Sequence, residues 1–522
     1  MGGRHNRREF LADVGRGTLV ATLGSGMAVD LGLAGAFADE PQGRLTFGDL
    51  EPLVALMQET PAARIVSAAV EKLRAGTPLH DLVAAAALAN ARTFGGEDYV
   101  GFHTVMALAP AFHMAKELPE PRRALPVLKV LYRNTNRIQE FGGPSKEVLH
   151  PVEPAAALSE GQSAGDAIRD AVRAKDLARA EGIFARVAQG SPEDAFNAVL
   201  HAVQENTEVH RTVLPYRSWD LLGLIGTERA HTLLRQSVRY CVKSEREWRH
   251  TAETDRPRAV LPKVMDQYKL AGRAFGDRVP DDAWVDRMSR TIFEGTPEQA
   301  ADAVGAALAE GFAPRSIGEA LSLAANQLIL RDVGRLAGQV QPGKPLGSVH
   351  GDSIGVHACD SANAWRNMAA VSNARNTAAC LILGAFQVAE DRVNRGGDFL
   401  KWTPYPRLED LASVRATDPA ALLDELRSAV RGNEQARACA VVGRIGEVSG
   451  DPKAVFDLLL GYAVSEDGAL HAEKFYRTVR EEFTSTRPAF RWRQLVALAR
   501  VTASEYGKPA AGYAEACELL KV

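Results

Sequence analysis

Apolar residues recur three and four positions apart along almost the whole chain beyond residue 50, and runs in which Val, Ile or Thr alternate with polar residues are absent. That period predicts an all-α protein, read here as a multi-helix array of αα hairpins around a central site. Leu50 to Leu56, Ala62 to Leu73 and Leu79 to Ala91 read as successive helices, the last two parted by the turn Arg74-Ala75-Gly76-Thr77-Pro78. Another helix is expected to run from Ala358 through Ala389. Between Asp418 and Val464, Gly432, Gly450 and Pro452 punctuate two or three short Ala/Leu helices that read as stacked hairpins. The interval from Phe141 to Gly165, rich in Pro, Gly, Ser and Glu, is either a long loop or a domain boundary.

The first residues have a different pattern. Arg7-Arg8 is followed by Glu9-Phe10-Leu11, a Gly/Ala/Val/Leu stretch and Ala36-Phe37-Ala38 before Asp39. Residues 1–38 are therefore expected to be a twin-arginine signal peptide, and residues 39–522 an all-helical catalytic body exported to the periplasm or beyond. Asp13, Asp30 and several glycines interrupt the leader's apolar stretch, which argues for a cleaved signal and against a stable membrane anchor. The twin-arginine translocation machinery, the partner this leader implies, carries proteins that have already folded. Taking up a metal or organic cofactor first is one reason to use that route.

A net charge of -3 with interspersed signs leaves no basic footprint for nucleic acid and no polybasic stripe for lipid. A small-molecule substrate is the default. Five widely spaced cysteines without a Cys-x-x-Cys pair specify neither a disulfide framework nor a zinc knuckle. Phosphate loops, dinucleotide fingerprints, nucleophile elbows and His-Glu-x-x-His are absent. Glu-x-x-His occurs at Glu147/His150, Glu228/His231 and Glu247/His250, but the first lies in a Pro-flanked loop and the other two share one helix or its continuation. They cannot face each other as a di-iron bundle requires.

The remaining candidates are histidines in apolar helical surroundings, where an imidazole needs a partner. His103 lies in Phe102-His103-Thr104-Val105-Met106-Ala107-Leu108, and His113 falls about 80° away on the same helix, with Pro110 between them. His201 has Glu205 one turn on, a surface-pair pattern, and His210 falls on nearly the opposite face. The segment after His210 leads into Tyr216, Trp219 and Leu221-Leu222, an apolar wall suited to a planar substrate. His350-Gly351-Asp352-Ser353-Ile354-Gly355-Val356-His357 sets a glycine-rich helix entry, capped by Asp352 or Ser353, between two histidines. His471 and Lys474 are neighbours on one helical face, where a lysine can serve as proton donor, anion clamp or, once carboxylated, ligand.

Four of these segments resemble, in order, motifs of the questin oxidase-like family of all-helical oxidative enzymes. Phe102 to Leu108, continuing through Leu118 to Tyr132, looks like the family's early His-x-x-Met-Ala-Leu helix. His210-Arg211-Thr212-Val213 is similar to its central His-x-x-Ile segment, His350-Gly351-Asp352-Ser353 to its His-Gly-x-Thr/Ser turn, and His471-Ala472-Glu473-Lys474 to its late His-x-x-Lys. Phe102-His103 stands where the family has Asn-His, and an export leader is not typical of its fungal members. The resemblance implies a histidine-rich non-haem iron centre that activates dioxygen for oxidative ring opening of aromatic polyketides such as anthraquinones, together with an external reductant. Its expected ligands are His103, His210, His350 and His471, with His357 replacing His350 if His350 points away. Lys474 would be ligand or proton donor, Asp352 or Asp360 would orient a ligand histidine, and Tyr216, Trp219 or Trp365 would hold substrate. Zinc is the alternative metal, and with it a metal-dependent hydrolase. A second alternative is an exported helical scaffold that binds another protein without catalysis.

Overall fold

The helical period is realised throughout. The computed structural model describes residues 43–394 and 398–522, and among them are 23 α-helices and no strand beyond isolated bridges. The predicted leader, with Arg7-Arg8, lies outside the described residues. The first helices span Glu51–Glu59, Ala62–Arg74 and Leu79–Phe94, each ending slightly later than its apolar pattern suggests. Thr46 to Val522 form one compact unit. The polar interval after Phe141 is pinned to it: the Val148 and Leu149 amides donate to the Arg92 carbonyl, and the Ala155 amide to that of Gly182. No described helix is long and apolar enough to cross a membrane.

The helix expected from Ala358 through Ala389 is two helices. It breaks at Ser372-Asn373, where the Asn373 side chain accepts the Asn376 amide at 3.0 Å and starts the helix Ala374–Asn394 afresh. Apolar spacing continues across this break because both helices are buried, and so conceals it. The punctuated region after Asp418 forms Pro419–Arg431, Gln435–Val448 and Lys453–Ser465, the first two ending just before Gly432 and Gly450 and the third starting after Pro452.

Four helices concern the site: α1 (Tyr99–Glu117), α2 (Val209–Ile225), α3 (Ile354–Val371) and α4 (His471–Ser485). Asp98 caps α1 by accepting the Gly101 amide at 2.7 Å, and Glu208 caps α2 by accepting the amides of His210 and Arg211. Ser353 caps α3. Pro110 and Pro215 lie inside α1 and α2 without ending either helix.

Candidate functional site

Each of the four helices supplies one imidazole: His103 from α1, His210 from α2, His357 from α3 and His471 from α4. The helices touch in that cyclic order, with α4 returning to α1, and so do the rings. Centroids are 4.7 Å apart for His103 and His210, 5.9 Å for His210 and His357, 5.4 Å for His357 and His471, and 5.2 Å for His471 and His103.

Hydrogen bonds fix the Nδ1 protons of the first two. His103 Nδ1 lies 2.6 Å from the Tyr99 carbonyl, which can only accept, so Nδ1 carries the proton and Nε2 a lone pair. His210 Nδ1 lies 2.5 Å from Glu208 Oε1. Burial alone would raise the Glu208 carboxyl, but His210, two backbone amides and the Tyr240 hydroxyl outweigh it and hold the group down at about 2. Glu208 is therefore ionised and acts as an acceptor, and His210 also donates from Nδ1. Carbonyl and carboxylate partners of this kind are what orient metal-bound histidines.

The consequence lies on the other side of the rings. His103 Nε2 and His210 Nε2 stand 3.2 Å apart, the His103 lone pair facing the other ring's nitrogen. Either a proton held by one imidazolium or a metal cation relieves that arrangement. Burial first, then Lys474 and His210, hold His103 well below its ordinary pKa, which opposes protonation there. His357 Nε2 and His471 Nε2 repeat the spacing at 3.3 Å. Burial lowers His357 to about 3 and pushes His471 far down as well.

Four imidazoles bound through Nε2 to one tetrahedral ion, with metal–nitrogen bonds of about 2.05 Å, would have ring centroids about 5.2 Å apart. The four neighbouring separations bracket that figure, whereas His103–His357 and His210–His471, which one tetrahedral ion would hold as close, are not among the ring contacts, so the chemistry of the donor set suits an ion and its spacing does not yet enclose one. Among the described residues, no three His, Cys, Asp or Glu side chains already stand at the spacing of a finished metal site. The imidazoles meet as two facing pairs.

No family model, curated protein or solved structure matches the chain. The site must therefore be read from its own chemistry.

Backbone strain places His471. Ala469 (φ 48) and Leu470 (φ 68) both adopt the left-handed conformation directly before it, at an order-of-magnitude cost of about 1 kcal/mol each. A methyl group on Gly351 would lie 2.2 Å from His471 Cβ, so the glycine lets the loop before α3 close against α4. The same loop turns His350 away. His350 Nδ1 is 3.8 Å from Glu505 Oε1, its Nε2 is buried without a partner, and its ring is not among those in contact with the other four. His357, three residues into α3, is the one that joins the cluster.

Lys474 lies one turn beyond His471 on α4 and is only 2% exposed. Burial first, and Arg217 with it, lowers its ammonium to about 8 against the opposing pull of Asp360 and Glu473. Among the described residues, no hydrogen bond or ion pair engages its Nζ. Asp360 on α3 instead accepts from Thr478 Oγ1 at 2.8 Å, and the buried Arg217 guanidinium donates to the same hydroxyl at 3.1 Å.

The other expected residues lie elsewhere. Tyr216 donates to both Glu481 oxygens, at 3.0 and 3.2 Å. Trp365 is fully buried and donates to Gln387 at 2.7 Å, and Trp219 packs on Phe196. None of the three is among the aromatic rings in contact with the histidines; Tyr99 and Phe102 are. Asp352 pairs with Arg335 and Lys344, His201 with Asp166, and His113 with Asp220. Glu205 bonds Arg173 and Arg258 and does not pair with His201. All five cysteines are free. The residues the sequence did not single out are Glu208, Tyr99, Tyr240 and Arg217. Glu208 had one usable signal, a carboxylate at a helix start two residues before a histidine.

Proposed function

We propose that the chain is an exported metal-dependent oxidoreductase of oxygenase type, with His103, His210, His357 and His471 holding non-haem iron and a small aromatic compound as substrate. The observation that carries the metal reading is the 3.2 Å approach of two Nε2 atoms whose rings are held from behind by the Tyr99 carbonyl and Glu208, repeated at 3.3 Å by His357 and His471. Iron in an imidazole set supplies redox and Lewis-acid chemistry. The protein's own groups do the positioning. Glu208 and the Tyr99 carbonyl keep Nε2 free, and the exposed Tyr99 ring beside His103 and His210 offers a planar substrate a face next to the site. The oxygenase half rests on the resemblance to questin oxidase-like enzymes, and an external reductant would complete the electron balance.

The test is metal analysis of protein purified from its exporting host, with dioxygen uptake measured over phenolic and quinone compounds. About one iron per chain with substrate-dependent uptake is the expected result. Zinc with hydrolysis and no uptake would replace this reading by the hydrolase, and the absence of stoichiometric metal would overturn it. Replacing Arg7 and Arg8 by lysine should leave folded, metal-loaded protein in the cytoplasm. Normal export of that variant, detected by fractionation, would contradict the predicted route.

A further inference from the structure

Two cations stand in the interior beside the histidines. Lys474 and Arg217 are both almost fully buried, and the nearest carboxyl between them, Asp360, is pushed up by burial and already accepts from Thr478. Glu208 is ionised but is committed to His210, Tyr240 and two amides. Lys474 has three ammonium donors and no acceptor for them among the described residues. Nζ is not sealed off: it keeps a little accessible surface at which an acceptor from outside the chain can reach it. A divalent ion held by four neutral imidazoles would add two further positive charges to the same space.

We propose that Lys474 is an anion-binding residue, and that the site takes a substrate presenting an ionised oxygen, a carboxylate or a phenolate, which bridges the metal position and the Lys474 ammonium. The inference rests on the metal reading and narrows it. Helix geometry supports it: His471, Lys474 and Thr478 follow one face of α4, and His357 and Asp360 follow the facing side of α3. Lys474 therefore lies between the histidines and the Asp360–Thr478 bond. An anionic oxygen there satisfies the ammonium and offsets the metal's charge in one contact. Arg217 lies behind this position and has only two long ion pairs, 3.7 Å to Asp220 and 4.0 Å to Glu481, so it adds to the positive field without closing it off.

The test uses the full mature chain loaded with cobalt(II), whose visible spectrum reports changes at the metal, titrated with formate and separately with phenol. A saturable spectral change is expected with at least one of them, and formate against phenol separates the carboxylate from the phenolate source. Lys474→Met should bind cobalt with unchanged stoichiometry but bind the anion at least tenfold more weakly. Anion affinity within twofold of the parent would overturn the role of Lys474 while leaving the metal reading intact. Failure of the parent protein to bind cobalt would overturn both. If Lys474→Met does not fold, a crystal structure of the parent protein with the bound anion decides the matter. An anion oxygen within about 3 Å of Nζ is the expected position, and an anion seated elsewhere overturns the proposal.

Discussion

Two buried lysines meet the same helix and differ in every partner. Lys129, 3% exposed, places Nζ 2.7 Å from Glu473 Oε1, 2.9 Å from the Ala463 carbonyl and 2.5 Å from that of Glu466. Two carbonyls accept from it and a carboxylate pairs with its charge, and it ties the helix Leu125–Phe141 to α4. Lys474, the residue next to Glu473, is equally buried and engages no acceptor among the described residues. A structural lysine has its acceptors supplied by the fold. One that lacks them, beside four imidazoles, is arranged for something the chain does not itself contain. The contrast also separates two ways in which α4 is held: Glu473 anchors it, whereas His471 and Lys474 face the site.

The largest expected effect comes from breaking the anchored side. Lys129→Met leaves the Glu473 carboxylate buried and uncompensated, and should cost about 3–5 kcal/mol in urea denaturation. Lys474→Met breaks no pair and should be neutral or stabilising by up to about 2 kcal/mol. Equal losses in the two variants would erase the distinction. Next in size, Gly351→Ala places a methyl 2.2 Å from His471 Cβ, and should cost about 1–3 kcal/mol while abolishing metal retention on dialysis. Unchanged metal content would mean that His471 is not required where it stands.

A subtler change sharpens the comparison from the α2 side. Glu208→Gln preserves shape but removes the charge behind His210, and metal affinity in a chelator competition should fall about 10- to 100-fold. An unaffected affinity would make Glu208 a helix cap and nothing more. The smallest effect is expected at Ala469→Gly, which accommodates φ 48 without a Cβ and should add about 0.5–1 kcal/mol of stability. A loss of stability would show that the turn before His471 carries no strain.

The sequence conveyed the helices because one period persists from Leu50 onward, and it singled out His103, His210, His350 and His471, with His357 as the replacement for His350, because each is a polar residue in an apolar segment. It conveyed less about what surrounds them. The partner of His103 is a backbone carbonyl, which no residue pattern can reveal. Glu208 reads first as a helix cap, and its second role appears only when α1 brings His103 opposite His210. His350 and His357 are both plausible by spacing; the turn at Gly351 decides between them, and that turn is set by contact with α4, far along the chain. Trp219 and Trp365 read as a substrate wall because they are large and aromatic, yet packing on Phe196 and a bond to Gln387 commit them elsewhere. The helix break at Ser372-Asn373 was hidden for the related reason that burial keeps both sides apolar.

The central claim is that four imidazoles from four helices close around one metal ion. X-ray absorption at the metal edge of the purified, metal-loaded chain tests it directly. The account predicts about one ion per chain with three to four imidazole nitrogens at about 2.0–2.2 Å, reduced by one in His103→Gln and in His471→Gln alike. A chain that retains no ion at stoichiometric level, or an ion whose shell is the same in both variants, would contradict it.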